Sequence, residues 1–152
     1  MDWSYVAGFF DGEGGIHIGF NRSKTRGKLY IIPRVQLSLA GTHQKSIKAI
    51  FEFLLSQNIA CGFFTQITER KPEYTVKITL VSPMKMFIDA MEPLLIIKQD
   101  SLAFFKEALI IFNQHKTGSH WTDEQLKKFG EIVDKNKPFV LHRGRTRNSH
   151  RS

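Results

Sequence analysis

Apolar residues recur along this chain at two spacings, about 3.6 and 2.0, and the switches between them predict the order of helices and strands. Asp2 suits an N-cap, and the helix it starts is expected to run to Glu13 and stop at Gly14-Gly15, where glycine can take the left-handed conformation. From Ile16 to Lys24 the period becomes two: Ile16, Ile18 and Phe20 alternate with His17, Gly19, Asn21 and Ser23, as in a half-buried strand. A turn at Arg26-Gly27-Lys28 leads into a second strand over Tyr30 to Ala40, with Val35, Leu37 and Leu39 on one side and Arg34, Gln36 and Ser38 on the other. Thr42 can cap the next helix, whose Ile47, Ile50, Phe51, Leu54 and Leu55 recur at helical spacing, and Gly62 ends that unit.

A second hairpin is expected from Phe63 to Arg70, through the turn Lys71-Pro72-Glu73, and back over Tyr74 to Val81. In the return strand Tyr74, Val76, Ile78 and Leu80 oppose Thr75, Lys77 and Thr79. Ser82 then caps a helix starting at Pro83, Pro93 interrupts it, Ser101 to Asn113 reads as an apolar helix, and Thr122 with Gln125 forms a capping box for a last one. The fold class is α+β: one antiparallel sheet with helices on its apolar face and a polar face left uncovered. Solvent alone is enough to account for such a face. Its residue types point further, since Arg34, Gln36, Ser38, Asn21, Ser23, Gln66, Arg70 and Lys77 suit the reading of base edges by strands in a major groove.

Charge strengthens that reading. The 152 residues carry 22 Lys and Arg against 14 Asp and Glu, a formal charge of +8, and such an excess favours a polyanionic partner. Seven basic residues and no acid lie between Gly15 and Phe51, and six more and no acid between Lys135 and Ser152. Nine basic residues then face all 14 acids, so the remainder is net −5 and the positive charge is segregated. The last stretch is poor in apolar residues beyond Phe139-Val140-Leu141, which divides the chain into a domain over 1–134 and a basic tail over 135–152 expected to be flexible. No apolar run approaches the roughly 20 residues of a membrane span, and the first residues lack the pattern of a secretory leader. The single cysteine, Cys61, reads as a small core residue and fits a reducing, intracellular compartment. The six histidines are scattered, which argues against a zinc protein.

One acid is out of place. A helix C-terminus carries partial negative charge on its unpaired carbonyls, yet Glu13 sits there with Asp11 two residues before it. Carboxylate and converging carbonyls make sense around a cation. Ala7 and Gly8 on the same helix would let a second helix approach closely, although a tight packing point within the chain explains them as well.

The run Val6-Ala7-Gly8-Phe9-Phe10-Asp11-Gly12-Glu13-Gly14 resembles the nine-residue signature of the LAGLIDADG homing endonucleases, with apolar changes and Glu for the final acid. Two hairpins separated by a helix follow it, the order this family uses, so the resemblance covers about Trp3 to Phe112. It implies an αββαββα fold with a saddle-shaped sheet and, with a single copy of the signature, a homodimer whose first helices meet through Val6, Ala7, Gly8, Phe10 and Asp11. It implies that Glu13 and the carbonyl of Gly12 hold a catalytic Mg²⁺, with Mn²⁺ or Ca²⁺ able to take the same place. Lys98 matches the basic residue that approaches the active site, and His43 the polar residue that organises water; a surface lysine and a helix-start residue are the plainer alternatives.

The partner implied is double-stranded DNA, cut on both strands at a pseudo-palindromic site. The candidate contacts are His17, Asn21, Ser23, Lys24, Arg26, Lys28, Tyr30, Arg34, Gln36, Ser38, Gln66, Thr68, Arg70, Thr75, Lys77 and Thr79, with Arg143, Arg145 and Arg147 in the tail. A nine-residue strand spans roughly 30 Å at about 3.3 Å per residue, so a dimer would cover on the order of 20 base pairs. Such a protein would reside where the host DNA is, in a prokaryotic cytoplasm or an organelle matrix. An intron RNA maturase, with intron RNA as partner, and a non-cleaving DNA binder are the alternatives on the same fold; a basic ribosome-associated protein is the alternative outside it.

Overall fold

The computed structural model describes the backbone of residues 1–25, 27–67, 71–115 and 120–140, and the side chains of these except at 23–25, 28–30 and 136–140. Its elements are α1 (Trp3–Glu13), β1 (Gly14–Thr25), β2 (Lys28–Gly41), α2 (Gln44–Ser56), β3 (Gly62–Ile67), β4 (Pro72–Ile78), α3 (Val81–Met91), a 3₁₀ turn at Glu92–Leu94, α4 (Gln99–Gln114) and α5 (Asp123–Val140). The strands form a four-stranded antiparallel sheet in the order β1-β2-β4-β3, so the fold is α+β as the alternation predicts. Among the described residues no helix is long and apolar enough to cross a membrane.

The chain divides into two compact units, residues 1–16 with 36–102 and, among the described residues, 17–35 with 103–140. In the first, the register sets Leu37 opposite Ile78 and Leu39 opposite Val76, and all four are fully buried. Onto this unit's core α1 brings Val6, Ala7 and Phe10, α2 brings Ile47, Ile50 and Leu54, and α3 brings Met84, Phe87, Ile88 and Met91. Trp3 meets Phe53 and Phe87 edge to face at 5.2 and 6.1 Å, and Phe10 meets Phe87 at 5.5 Å. Such pairs add about 0.5–1.5 kcal/mol each beyond the area they bury.

In the second unit Ile18 and Val35 are buried together with Phe105, Ala108, Leu109, Phe129 and Ile132. Phe20 packs edge-on against Phe129 at 5.2 Å, and Phe129 against Trp121 at 5.9 Å. The capping box forms as the sequence predicts: Thr122 N–H donates to Gln125 Oε1 at 3.0 Å and Gln125 N–H to Thr122 Oγ1 at 3.1 Å. The helix it opens continues to Val140, past the residue where composition changes.

Several boundaries differ from the sequence reading, each for a physical reason. Gly14 is not left-handed but extended, at φ −74° and ψ 158°, so α1 passes straight into β1. Glycine is needed there for room: a Cβ would lie 2.1 Å from the Phe10 ring. At the start of α2 the N-cap is His43, not Thr42, and its side chain makes no capping bond. At the end of α2 it is Asn58, not Gly62, that turns the chain, with φ 61°. Asn58 N–H donates to the Leu55 carbonyl and Ile59 N–H to the Leu54 carbonyl, both at 3.0 Å, and buried Ile59 closes over Leu54. β4 ends at Ile78, leaving Leu80 62% exposed as the N-cap of α3, which begins at Val81 rather than Pro83. Ser82 and Pro83 thus lie inside the first turn, where the missing proline N–H has no partner to lose. Pro72 and Glu73, expected in a turn, open β4 opposite Ile67 and Gln66.

Candidate active site and nucleic-acid face

The geometry of interest gathers at the C-terminal end of α1. Asp2 opens that helix by accepting the Tyr5 N–H at 2.9 Å, and the apolar stripe Val6, Ala7 and Phe10 fixes its rotation against the core. Its last turn therefore carries Asp11, Gly12 and Glu13, with no basic residue among them. Gly12 and Glu13 are exposed, and Asp11 is half-buried.

Asp11 is where the structure adds most to the sequence reading. Its Oδ2 accepts the N–H of Ile96 at 2.8 Å, and its Oδ1 accepts those of Ile97 at 3.1 Å and Lys98 at 3.0 Å. The Lys98 ammonium in turn donates to the backbone carbonyl of Asp11 at 2.5 Å and lies 5.8 Å from the Phe10 ring centroid. A cation on the carbonyl end of α1 answers the electrostatic problem that the two acids raise there. Lys98 thus stands at the helix end that bears Glu13. The pairing spans 87 residues of sequence, which no local pattern reveals; the signals were an acid at the wrong end of a helix and the resemblance that placed Lys98 near it.

His43 is exposed at the start of α2. The oxygen donors at this helix end, the Glu13 carboxylate and the backbone carbonyls, are of the kind that Mg²⁺ and Ca²⁺ prefer. Among the described residues no three His, Cys, Asp or Glu side chains converge. The Glu13 carboxylate and a helix-end carbonyl would supply part of such an ion's coordination sphere. Cys61 is half-buried rather than fully in the core, and burial pushes its thiol up to about 11, which keeps it protonated at neutral pH.

Three of the residues expected at a helix–helix contact lie inside the chain itself. Val6 and Phe10 are fully buried and Ala7 is 2% exposed within the chain's own core, because they form the apolar stripe that α3 covers. Gly8 is exposed, as is Gly12 four residues on, and a Cβ at either would meet nothing within 4 Å. Both glycines are open to another molecule, with Tyr5 47% exposed on the same helix. Asp11 directs both carboxylate oxygens to its own chain.

On the sheet's polar side, the second unit exposes His17, Asn21 and Arg34. The first exposes Gln66 and half-buries Gln36, Thr75 and Lys77, while Thr79, also exposed, lies past the end of β4. Ser38 shares that parity but is only 8% exposed, since it is a short side chain on an inner strand opposite Lys77. Side chains of Ser23, Lys24, Lys28 and Tyr30, and residues Arg26, Thr68, Arg70, Arg143, Arg145 and Arg147, lie outside the described residues. One residue escaped the sequence reading: Phe64, paired with Thr75, stands on the polar side 51% exposed, with the Lys77 ammonium 5.1 Å from its ring centroid. The period-two parity it shares with Gln66 was the available signal.

No protein-family model matches the sequence, and no curated protein matches it significantly. The structure does have close counterparts. The homing endonuclease I-TnaI superposes with a TM-score of 0.68 at 21% identity, over 99% of this chain and 95% of that one. I-CvuI, in complex with its target in the presence of Ca, gives 0.71 at 12% identity over 94% and 84%. The LAGLIDADG meganuclease I-CpaMI, bound to uncleaved DNA, gives 0.67 at 18% identity; it is matched by 91% of this chain, which spans only 48% of its length. The chain has the fold of the LAGLIDADG homing endonucleases, as the run from Val6 to Gly14 implies.

Proposed function

We propose that this protein is a site-specific DNA endonuclease that works as a homodimer and hydrolyses both strands of a long, pseudo-palindromic duplex with a divalent cation, Mg²⁺ foremost. The observation that carries the proposal is the meeting of Lys98 with the helix end that bears Glu13, an acid and a base drawn from opposite ends of the first unit. The half-length match to I-CpaMI alongside the nearly full match to I-TnaI supports a chain that supplies half of a twofold assembly. DNA, named with I-CvuI and I-CpaMI, is the polyanion that best fits the segregated positive charge.

Glu13 and the Gly12 carbonyl would hold the cation, with Glu13 of a second copy and phosphate oxygens completing its sphere. When bound, the ion supplies charge against the scissile phosphate and lowers the pKa of a coordinated water. The Lys98 ammonium, held at the same helix end, offsets negative charge that grows on the phosphoryl oxygens in the transition state. His43 can order the water on its way to the phosphorus. Arg34, Gln36, Gln66 and Lys77 offer donors to base edges and phosphates from the polar side of their strands. Binding would fall steeply with salt, as phosphate neutralisation requires.

The test is incubation with a plasmid carrying the host gene without its intervening sequence. Wild type with Mg²⁺ should cut both strands, EDTA should abolish cutting, and Glu13→Gln should bind the site yet cut it about a thousandfold more slowly or less. Unaltered cutting by Glu13→Gln would remove Glu13 from the chemistry. DNA binding by wild type with no cleavage would leave a non-cleaving binder on this fold.

A further inference from the structure

We infer that Asp11 is the positioning residue of this site: its carboxylate locks the 96–98 turn to the end of α1, and through that lock sets the Lys98 ammonium at the helix end that bears Glu13. The inference deepens the nuclease reading and rests on it for the role of Lys98, though not for the lock itself. Three N–H groups on one carboxylate, at 2.8, 3.1 and 3.0 Å, leave the turn little freedom to slide. Residues 96–98 lead directly into α4, whose positive end adds a favourable field for a carboxylate close by.

Lys98 is held from both sides of its Cα. Its N–H goes to Asp11, while its carbonyl accepts the Leu102 N–H and the Ser101 hydroxyl at 3.0 Å each. A long, flexible side chain therefore starts from a fixed point, and its ammonium reaches the Asp11 carbonyl, two residues from Glu13. Asparagine is close in shape but cannot do this work. One of its two terminal atoms is an NH₂ group, which would confront the Ile96 or Ile97–Lys98 donors with a second donor.

Two measurements on the full chain decide the matter. The first needs no DNA: acetylation by an activated ester, with the rate at Lys98 read by mass spectrometry against exposed Lys85. Asp11→Asn should raise the relative rate at Lys98 several-fold while circular dichroism shows a folded chain, and Asp11→Glu, which keeps the charge, should bring it part of the way back. An unchanged Lys98 rate in folded Asp11→Asn overturns the inference. Should Asp11→Asn fail to fold, Asp11→Glu is compared with wild type in the same way. Its longer side chain must shift the Lys98 rate if the lock sets the ammonium, and no shift overturns the inference.

The second is single-turnover cleavage. Asp11→Asn should slow cutting about 10- to 100-fold at unchanged DNA affinity in Ca²⁺, as a misplaced catalytic group does. In a Lys98→Ala background the same change should cost nothing further, because the group it positions is gone. Losses that multiply would mean that Asp11 acts other than through Lys98. A wild type that cuts no DNA would sink the nuclease reading alone, since the acetylation rates would still report whether Asp11 places Lys98.

Discussion

Two glycines in one nine-residue run have opposite surroundings. At Gly14 a Cβ would sit 2.1 Å from the fully buried Phe10 ring, while at Gly12 it would meet nothing. Gly14 has an ordinary φ of −74°, so the penalty for Gly14→Ala is overpacking alone, about 1–3 kcal/mol. Chemical denaturation should show that loss for Gly14→Ala, whereas Gly12→Ala should match wild type or exceed it slightly through helix propensity. Equal midpoints for the two variants would mean that the Phe10 ring moves aside without cost. Sequence reading places both glycines at the end of the helix. It cannot tell a glycine kept for space from one kept for its backbone angles, because the neighbour that needs the space is known only once Phe10 has turned inward.

Among the helices and strands, a local code is legible where both partners lie within one turn. Thr122 and Gln125 form their reciprocal pair as expected, and Thr122→Ala should cost about 1 kcal/mol of stability. A thermal unfolding midpoint unmoved by Thr122→Ala would show α5 to be held by packing alone. The strands were legible too, since Leu37, Leu39, Val76 and Ile78 alternate with polar residues and are the ones buried. Errors cluster at junctions. Thr42 and Ser82 are good capping residues that cap nothing, because the strands before them end where pairing ends, at Gly41 and Ile78. Asn58 does the work assigned to Gly62, since asparagine tolerates the left-handed region nearly as a glycine does.

For the molecule as a whole, the proposal depends on a second copy, and α1 offers a way to test it. Gly8 lies exposed with open space around it, and Gly8→Gln should raise helix propensity by about 1 kcal/mol in the free chain. If two copies meet through this face, the same change blocks their approach. Sedimentation should then show a shift from dimer to monomer while the unfolding midpoint of the chain holds or rises. A dimer that survives Gly8→Gln would move the contact away from Gly8. The order of helices and strands, the polar parity of the sheet and the misplaced acid Glu13 follow from the sequence alone, because period and charge are written locally, whereas Lys98 became a candidate only through the resemblance to the LAGLIDADG signature. Only the tertiary structure decided that Val6, Ala7 and Phe10 belong to the chain's own core and that Asp11 grips a turn 87 residues away. Which face of a helix is buried, and which distant backbone meets a carboxylate, depends on how the elements pack, and packing is a property of the whole chain rather than of any window within it.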